Sequence, residues 1–237
     1  MDAKKRKLIS AITPIVLAVC VMVAFAVSGH ITNEKDKVSP TAESTTLSTT
    51  KEVVTTPKDT EVKIIAVGDN LIHDTLVASG KQDDETYNYD KFYENISPYA
   101  KEADISVMNR ETILGGDSFD YAGYPCFNSP WEIGEAAINA GFNVFTCATN
   151  HALDVSKDKG IQKEIEFYSK YPNVTHLGTN ASEKDYNTVT YLDKNDIKFA
   201  LLNYTYGTNG ISLPDDKPWV VDMMDKDKIK ADIKQAR

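Results

Sequence analysis

Asp69 and His73, Asn109 and Glu111, and Asn150, His151 and Asp154 are the residues of this chain whose types and spacing could do chemistry. Each group closely follows a short apolar run: VKIIAV (62–67), DISVM (104–108) and FNVFTCA (142–148). Taken singly, each has a plain alternative. A Gly-Asp after a strand is commonly a turn, a lone glutamate is commonly solvated, and an Asn-His pair can be a cap beside a satisfied imidazole. Taken together, carboxylates, an amide oxygen and imidazoles form a donor set for a borderline divalent metal such as Mn, Zn or Fe. Two such ions side by side could clamp an oxyanion and generate hydroxide from bound water.

Groups so far apart in sequence act together only if the fold gathers them. Val62–Val67 is apolar without alternation, which predicts a strand buried on both faces. Asp104–Met108 and Phe142–Ala148 predict two more. Between them, residues 88–102 read as a helix with Phe92, Ile96 and Tyr99 at helical spacing and Pro98 inside it. Residues 130–140 read as a second helix, with Ser129 as N-cap, Pro130 in the first position and Gly141 as the stop. Ile161–Tyr171 is a third. Thr188–Leu192 and Ile197–Tyr204 predict a strand pair around Asp193–Asp196, and Asp225–Arg237 a charged final helix. Strand–helix alternation argues an α/β fold with a largely parallel central sheet. Parallel strands put their carboxyl ends, where such sheets bind ligands, on one edge. The three polar clusters are therefore expected to converge there.

Before residue 61 the composition is different. Residues 1–7 carry Lys4, Lys5, Arg6 and Lys7, and residues 8–28 hold an uncharged apolar run, Leu8–Val27. Such a run reaches about 30 Å as a helix, enough to span a bilayer. The basic flank predicts a cytoplasmic amino terminus and an exported remainder, giving a single-pass cell-membrane protein. The alternative is a signal peptide cleaved near Ala24-Phe25-Ala26, leaving a secreted protein. Residues 29–60, rich in Ser and Thr, read as a disordered stalk, and 61–237 as the outer domain. The whole chain carries a net charge of −9, which argues against nucleic acid as a partner, since that needs a basic face. Of three cysteines, Cys20 lies in the apolar run. Cys126 and Cys147 read as small buried residues, with a disulfide between them the alternative.

The outer domain resembles the CapA-like capsule synthesis family, associated with poly-γ-glutamate capsules, of the calcineurin-like metallophosphatase superfamily. The resemblance rests on GDNLIH (68–73), MNRET (108–112), the Phe127–Pro130 turn, ATNHALD (148–154), HLGTNASE (176–183) and YTYGTNG (204–210). It implies a metallophosphatase-like α/β sandwich holding divalent ions, up to two. Asp69 would be a metal ligand, Glu111 would stand near the bridging carboxylate and Asn150 would ligate the second metal. His151 would be the proton donor or oxyanion stabiliser, with Asp154 orienting it. His73 is a further candidate ligand, four residues after Asp69, although metallophosphatases carry a histidine two residues after and Leu71 stands there. The family's later His-Trp-Gly-x-Glu motif has no counterpart before Arg237. The expectation is thus a C-terminally incomplete domain, as a fragment or a truncated paralogue.

Three functions follow as expectations. The first is a metal-dependent hydrolase or transferase acting on an anionic envelope polymer such as poly-γ-glutamate. The second is a non-catalytic accessory that binds or exports that polymer beside membrane-bound capsule synthesis subunits. The third is display for adhesion, with Tyr204–Gly210 as a sugar-contacting loop.

Overall fold

The computed structural model describes residues 60–237. The basic segment 1–7, the anchor expected at 8–28, the cleavage site at 24–26 and all but the last residue of the 29–60 stalk lie outside the described residues. Among the described residues no helix is long and apolar enough to cross a membrane.

Four parallel strands form the central sheet: β1 (Ile64–Asp69), β2 (Ile105–Asn109), β3 (Val144–Thr146) and β4 (Thr175–Leu177), in the order β1-β2-β3-β4. The central strand β2 is buried at all five positions. Its side chains alternate between two cores, as strand geometry requires. Met108 faces one with Phe145, Ile133, Ala137, Phe167 and Tyr168. These come from β3, α4 (Trp131–Asn139) and α5 (Asp158–Tyr168). Ile105 and Val107 face the other core, where Val144 and Leu177 meet Leu192, Phe199 and Leu201. Those last three belong to an antiparallel pair, β5 (Thr190–Lys194) and β6 (Ile197–Leu201), which forms a second layer. Each large apolar side chain removed from water in these cores contributes about 1.5–3 kcal/mol. The final helix, α7 (Lys226–Ala236), is capped by Asp225, whose carboxylate accepts the Asp227 and Lys228 N–H groups.

The structure departs from sequence expectation in several places. β1 is not buried on both faces: it is the edge strand of this sheet, and Ile64 is 41% exposed. The helix expected over 88–102 is two short ones, α2 (Asp90–Tyr93) and α3 (Ser97–Glu102). Pro98 lacks an N–H and is tolerated only in a first turn, so a new helix starts there. Pro130, not Ser129, occupies the N-cap position of α4 and no side chain caps the helix; the Ser129 hydroxyl meets that of Thr112 at 3.1 Å instead. Gly141, at φ +110, ends α4 as expected. Short helices α1 (Asp74–Ser79) and α6 (Glu183–Tyr186) complete the set. Cys126 is exposed and Cys147 buried, and both are free thiols.

Buried acids make stability depend on pH, Glu164 most of all. Glu164 on α5 is 2% exposed and accepts the Leu114 N–H at 3.2 Å. Burial pushes its carboxyl up to about 7 from 4.5, against the pull of the Arg110 guanidinium. With the folded value above the unfolded one, the stabilisation is complete below about 4.5 and is lost as pH rises through about 7. The difference corresponds to roughly 3 kcal/mol. Glu164→Gln is expected to flatten most of the fall in Tm between pH 5 and 8. A slope of the same sign should persist from Asp222, which burial pushes up to about 6, and from Glu111, which burial and then the Asp69 charge also push up. Thermal melts across that range test this, and an unchanged slope would count against it.

Candidate functional site

The three polar clusters meet where β1, β2 and β3 end. Asp69 and Asn109 are register partners, and the register shifts between Val67 and Asp69, so β1 carries one extra residue there. A bulge of this kind re-aims the side chain that follows it, and Asp69 is turned onto Asn109. The Asn109 amide is the hub. Its Oδ1 accepts the Thr146 hydroxyl from β3 at 2.8 Å, which fixes the amide's orientation. Its Nδ2 then donates to Asp69 Oδ1 at 2.7 Å and to Glu111 Oε2 at 3.0 Å. Two carboxylates from neighbouring strands are thus held within reach of one neutral amide. Among the described residues neither has a Lys or Arg partner. The consequence is electrostatic: burial, then the Asp69 charge, pushes the Glu111 carboxyl above its ordinary range, opposed by His151 and the Asn109 bond.

Thr149 joins this pair to the third cluster. Its hydroxyl donates to the Glu111 carbonyl at 3.0 Å and accepts the His151 N–H at 3.2 Å. His151 Nδ1 lies 2.7 Å from Asp154 Oδ2, and the Asp154 side chain is 1% exposed. The same carboxylate oxygen accepts the Phe127 backbone N–H at 2.9 Å. A carboxylate so placed keeps the proton on Nδ1 and leaves Nε2 for other work.

Asp69, Glu111, Asn150, His151 and Asp154 therefore follow the carboxyl ends of neighbouring parallel strands, on one edge of the sheet. His73 is not joined to them directly. It is exposed at the start of α1, and the Phe127 ring stands edge-on between it and His151, with centroid distances of 5.1 and 4.7 Å. Asn150 Nδ2 donates to Asn209 Oδ1 at 3.1 Å, and Asn209 Nδ2 lies 3.3 Å from His151 Nδ1. Asn209, Phe127 and the orienting role of Thr146 were missed as site features. Asn209 and Phe127 did lie in segments that stood out, YTYGTNG and the Phe127–Pro130 turn.

Two carboxylates, an amide oxygen and an imidazole remain chemically apt for a divalent cation. The carboxylates' electrostatic need for a positive partner fits one too. Against that, among the described residues no three His, Cys, Asp or Glu side chains gather closely enough to form a metal-binding group. The fold and edge cluster define an α/β protein with an acidic site at the carboxyl ends of parallel strands. Residues 63–237 match the model of the bacterial capsule synthesis protein family PGA_cap, and the chain belongs to that family. No curated protein matches it.

Proposed function

We propose that this protein is a cation-dependent hydrolase or transferase of capsule synthesis. In this reading it is anchored through residues 8–28 and faces outward, acting on an anionic envelope polymer such as poly-γ-glutamate beside membrane-bound synthesis subunits. The observation that carries it is the Asp69–Asn109–Glu111 arrangement, two carboxylates spaced by an amide and lacking a basic partner among the described residues, next to a His–Asp dyad. Asp69, Glu111 and the Asn150 amide oxygen are the groups that would hold Mn, Zn or Fe, as one ion or two, with His73 approaching only from across Phe127. When bound, the ion supplies Lewis acidity and activates water.

The chain's own residues do the rest. Asn109 keeps the two carboxylates apart and aimed. Asp154 holds the Nδ1 proton of His151, so that Nε2 can pass a proton to the leaving group. Phe127 walls one side of the imidazole and limits its hydration. Asp154→Asn is expected to lower turnover of a phosphodiester or amide model substrate roughly 100-fold or more, while Mn2+ affinity stays within a few-fold. Unchanged turnover in that variant would show that Asp154 does not orient His151 for the chemistry.

A second reading has its own support. Asp69 and Glu111, held around Asn109 without a Lys or Arg partner among the described residues, could instead share loosely held bridging cations with a polyanion, as an accessory would. Polymer binding that requires a divalent cation, without any cleavage or transfer, would select it.

A further inference from the structure

We propose that a cavity separate from the carboxylate cluster is a second ligand site, taking a small hydroxylated primary amine, the chemistry of an amino sugar. The cavity has a volume of about 350 Å3, within the range of small-molecule sites. It lies where the segment after β4, the end of β6, helix α6 and helix α7 come together, with Leu177 and Leu201 among its apolar walls. None of Asp69, Glu111, Asn150, His151 or Asp154 lines it.

The charges around this cavity do not balance. Asp185, Asp222 and Asp232 line it against a single cation, Lys228. Lys228 is already engaged twice: its ammonium bonds Asp232 Oδ2, and it stands 4.5 Å over the Tyr186 ring. The same Asp232 oxygen accepts the Tyr204 hydroxyl at 2.6 Å. Asp222 has no Lys or Arg within ion-pairing distance among the described residues. Its carboxylate is nonetheless held in place, because Asn180 Nδ2 donates to Asp222 Oδ1 and to the Trp219 carbonyl, both at 2.9 Å. Burial pushes the Asp222 carboxyl up to about 6, as befits a charge short of a positive partner. His176 does not supply one. It is stacked on Tyr168 at 5.1 Å, and burial pushes its imidazole below its ordinary value, which leaves it neutral at pH 7.

A second group is short of a partner. Asn203 lines the cavity and is 9% exposed. Its Oδ1 is taken by the Ala148 N–H at 2.6 Å, which fixes the direction of the amide. Its NH2 group finds no acceptor among the described residues, and buried donors of this kind are rarely left unmet. Water could meet Asn203, but the charge at Asp222 calls for a cation. A metal ion alone would use neither the volume nor the apolar walls. An ammonium at Asp222, with a hydroxyl oxygen accepting from Asn203, answers both needs in one molecule.

The test titrates glucosamine into the full chain in detergent, read by ligand-observed NMR. N-acetylglucosamine, which lacks the charge, and ethylamine, which lacks the hydroxyls, run beside it. Glucosamine is expected to bind saturably, roughly 10-fold tighter than either, as a hydrogen bond to a charged group warrants. Asp222→Asn keeps an acceptor for Asn180 and is expected to fold, yet to weaken glucosamine roughly 10-fold. The side-chain amide signals of Asn180 and Asn203 should shift on titration, and that of Asn150 should not. Absence of saturable binding, equal binding of either control, or an unchanged Kd in a folded Asp222→Asn variant would overturn the proposal. Shifts confined to Asn150 would do so too, by moving the amine to the carboxylate cluster.

Discussion

Gly178→Ala is expected to cost roughly 3–5 kcal/mol and to lower Tm by about 10 °C. Gly178 follows β4 with φ +99, a conformation side chains rarely adopt, and a Cβ there would lie 2.5 Å from the Ala148 nitrogen and 2.7 Å from its Cβ. Asn203 Oδ1 would be closer still. These atoms form one junction: the Ala148 N–H donates to Asn203 Oδ1 at 2.6 Å. The Gly178 carbonyl also accepts the Asp222 N–H at 2.9 Å. The Ala148 nitrogen and Cβ move only with their backbone, so relief requires shifting β4 or the segment that follows β3. Ala148 leads directly into Thr149, Asn150 and His151, and the damage should reach the site as well as the melt. Circular dichroism melts check this, and a Tm within about 2 °C of wild type would show that the junction is not as close as described.

Glu111→Gln is expected to act in opposite directions with and without cation. Without cation it should raise Tm at pH 7–8. Burial and Asp69 hold the Glu111 carboxyl above its ordinary range, so its ionisation destabilises the folded state as pH rises through its folded value. Removing the charge removes that loss. With Mn2+ at 100 times Kd, wild type should gain about 2.7 kcal/mol of stability, a rise of about 5–10 °C for a domain of this size. The variant should gain little, having lost a charged ligand. Differential scanning fluorimetry with and without Mn2+ reads both effects. A variant less stable than wild type without cation would mean that the Asp69–Glu111 pair is not under electrostatic stress.

Much of this architecture was legible in the chain, for identifiable reasons. Strands β2 and β3 are continuous apolar runs because both faces are buried, and the β5–β6 pair declares itself by the polar turn between two apolar runs. Helix α4 follows from Pro130 and Gly141. β4 was not legible: Thr175–Leu177 is three residues long and includes His176, whose hydrophobic neighbours are supplied by packing on β3 rather than by sequence. The edge position of β1 was equally hidden, because a continuous apolar run does not say how many layers cover it.

The site divides the same way. Asp69, Glu111, Asn150, His151 and Asp154 could be read as polar residues closing apolar strands, and their convergence follows from parallel topology. Asn109 was visible in that cluster, but its control of both carboxylates depends on a hydrogen bond from Thr146 on the next strand. His73 was grouped with Asp69 by proximity in sequence, and only packing reveals Phe127 between the imidazoles. Asn209 meets Asn150 from 59 residues further along the chain, so no local pattern could assign it.

Cation binding is tested most directly by the metal content of the full chain after equilibration with Mn2+, Zn2+ or Fe2+ and removal of the excess. One to two ions per chain are expected in wild type, lost in Asp69→Ala and strongly reduced in Asn150→Ala, with both variants folded. A wild-type protein that retains no ion, or variants that retain as much as wild type, would contradict it.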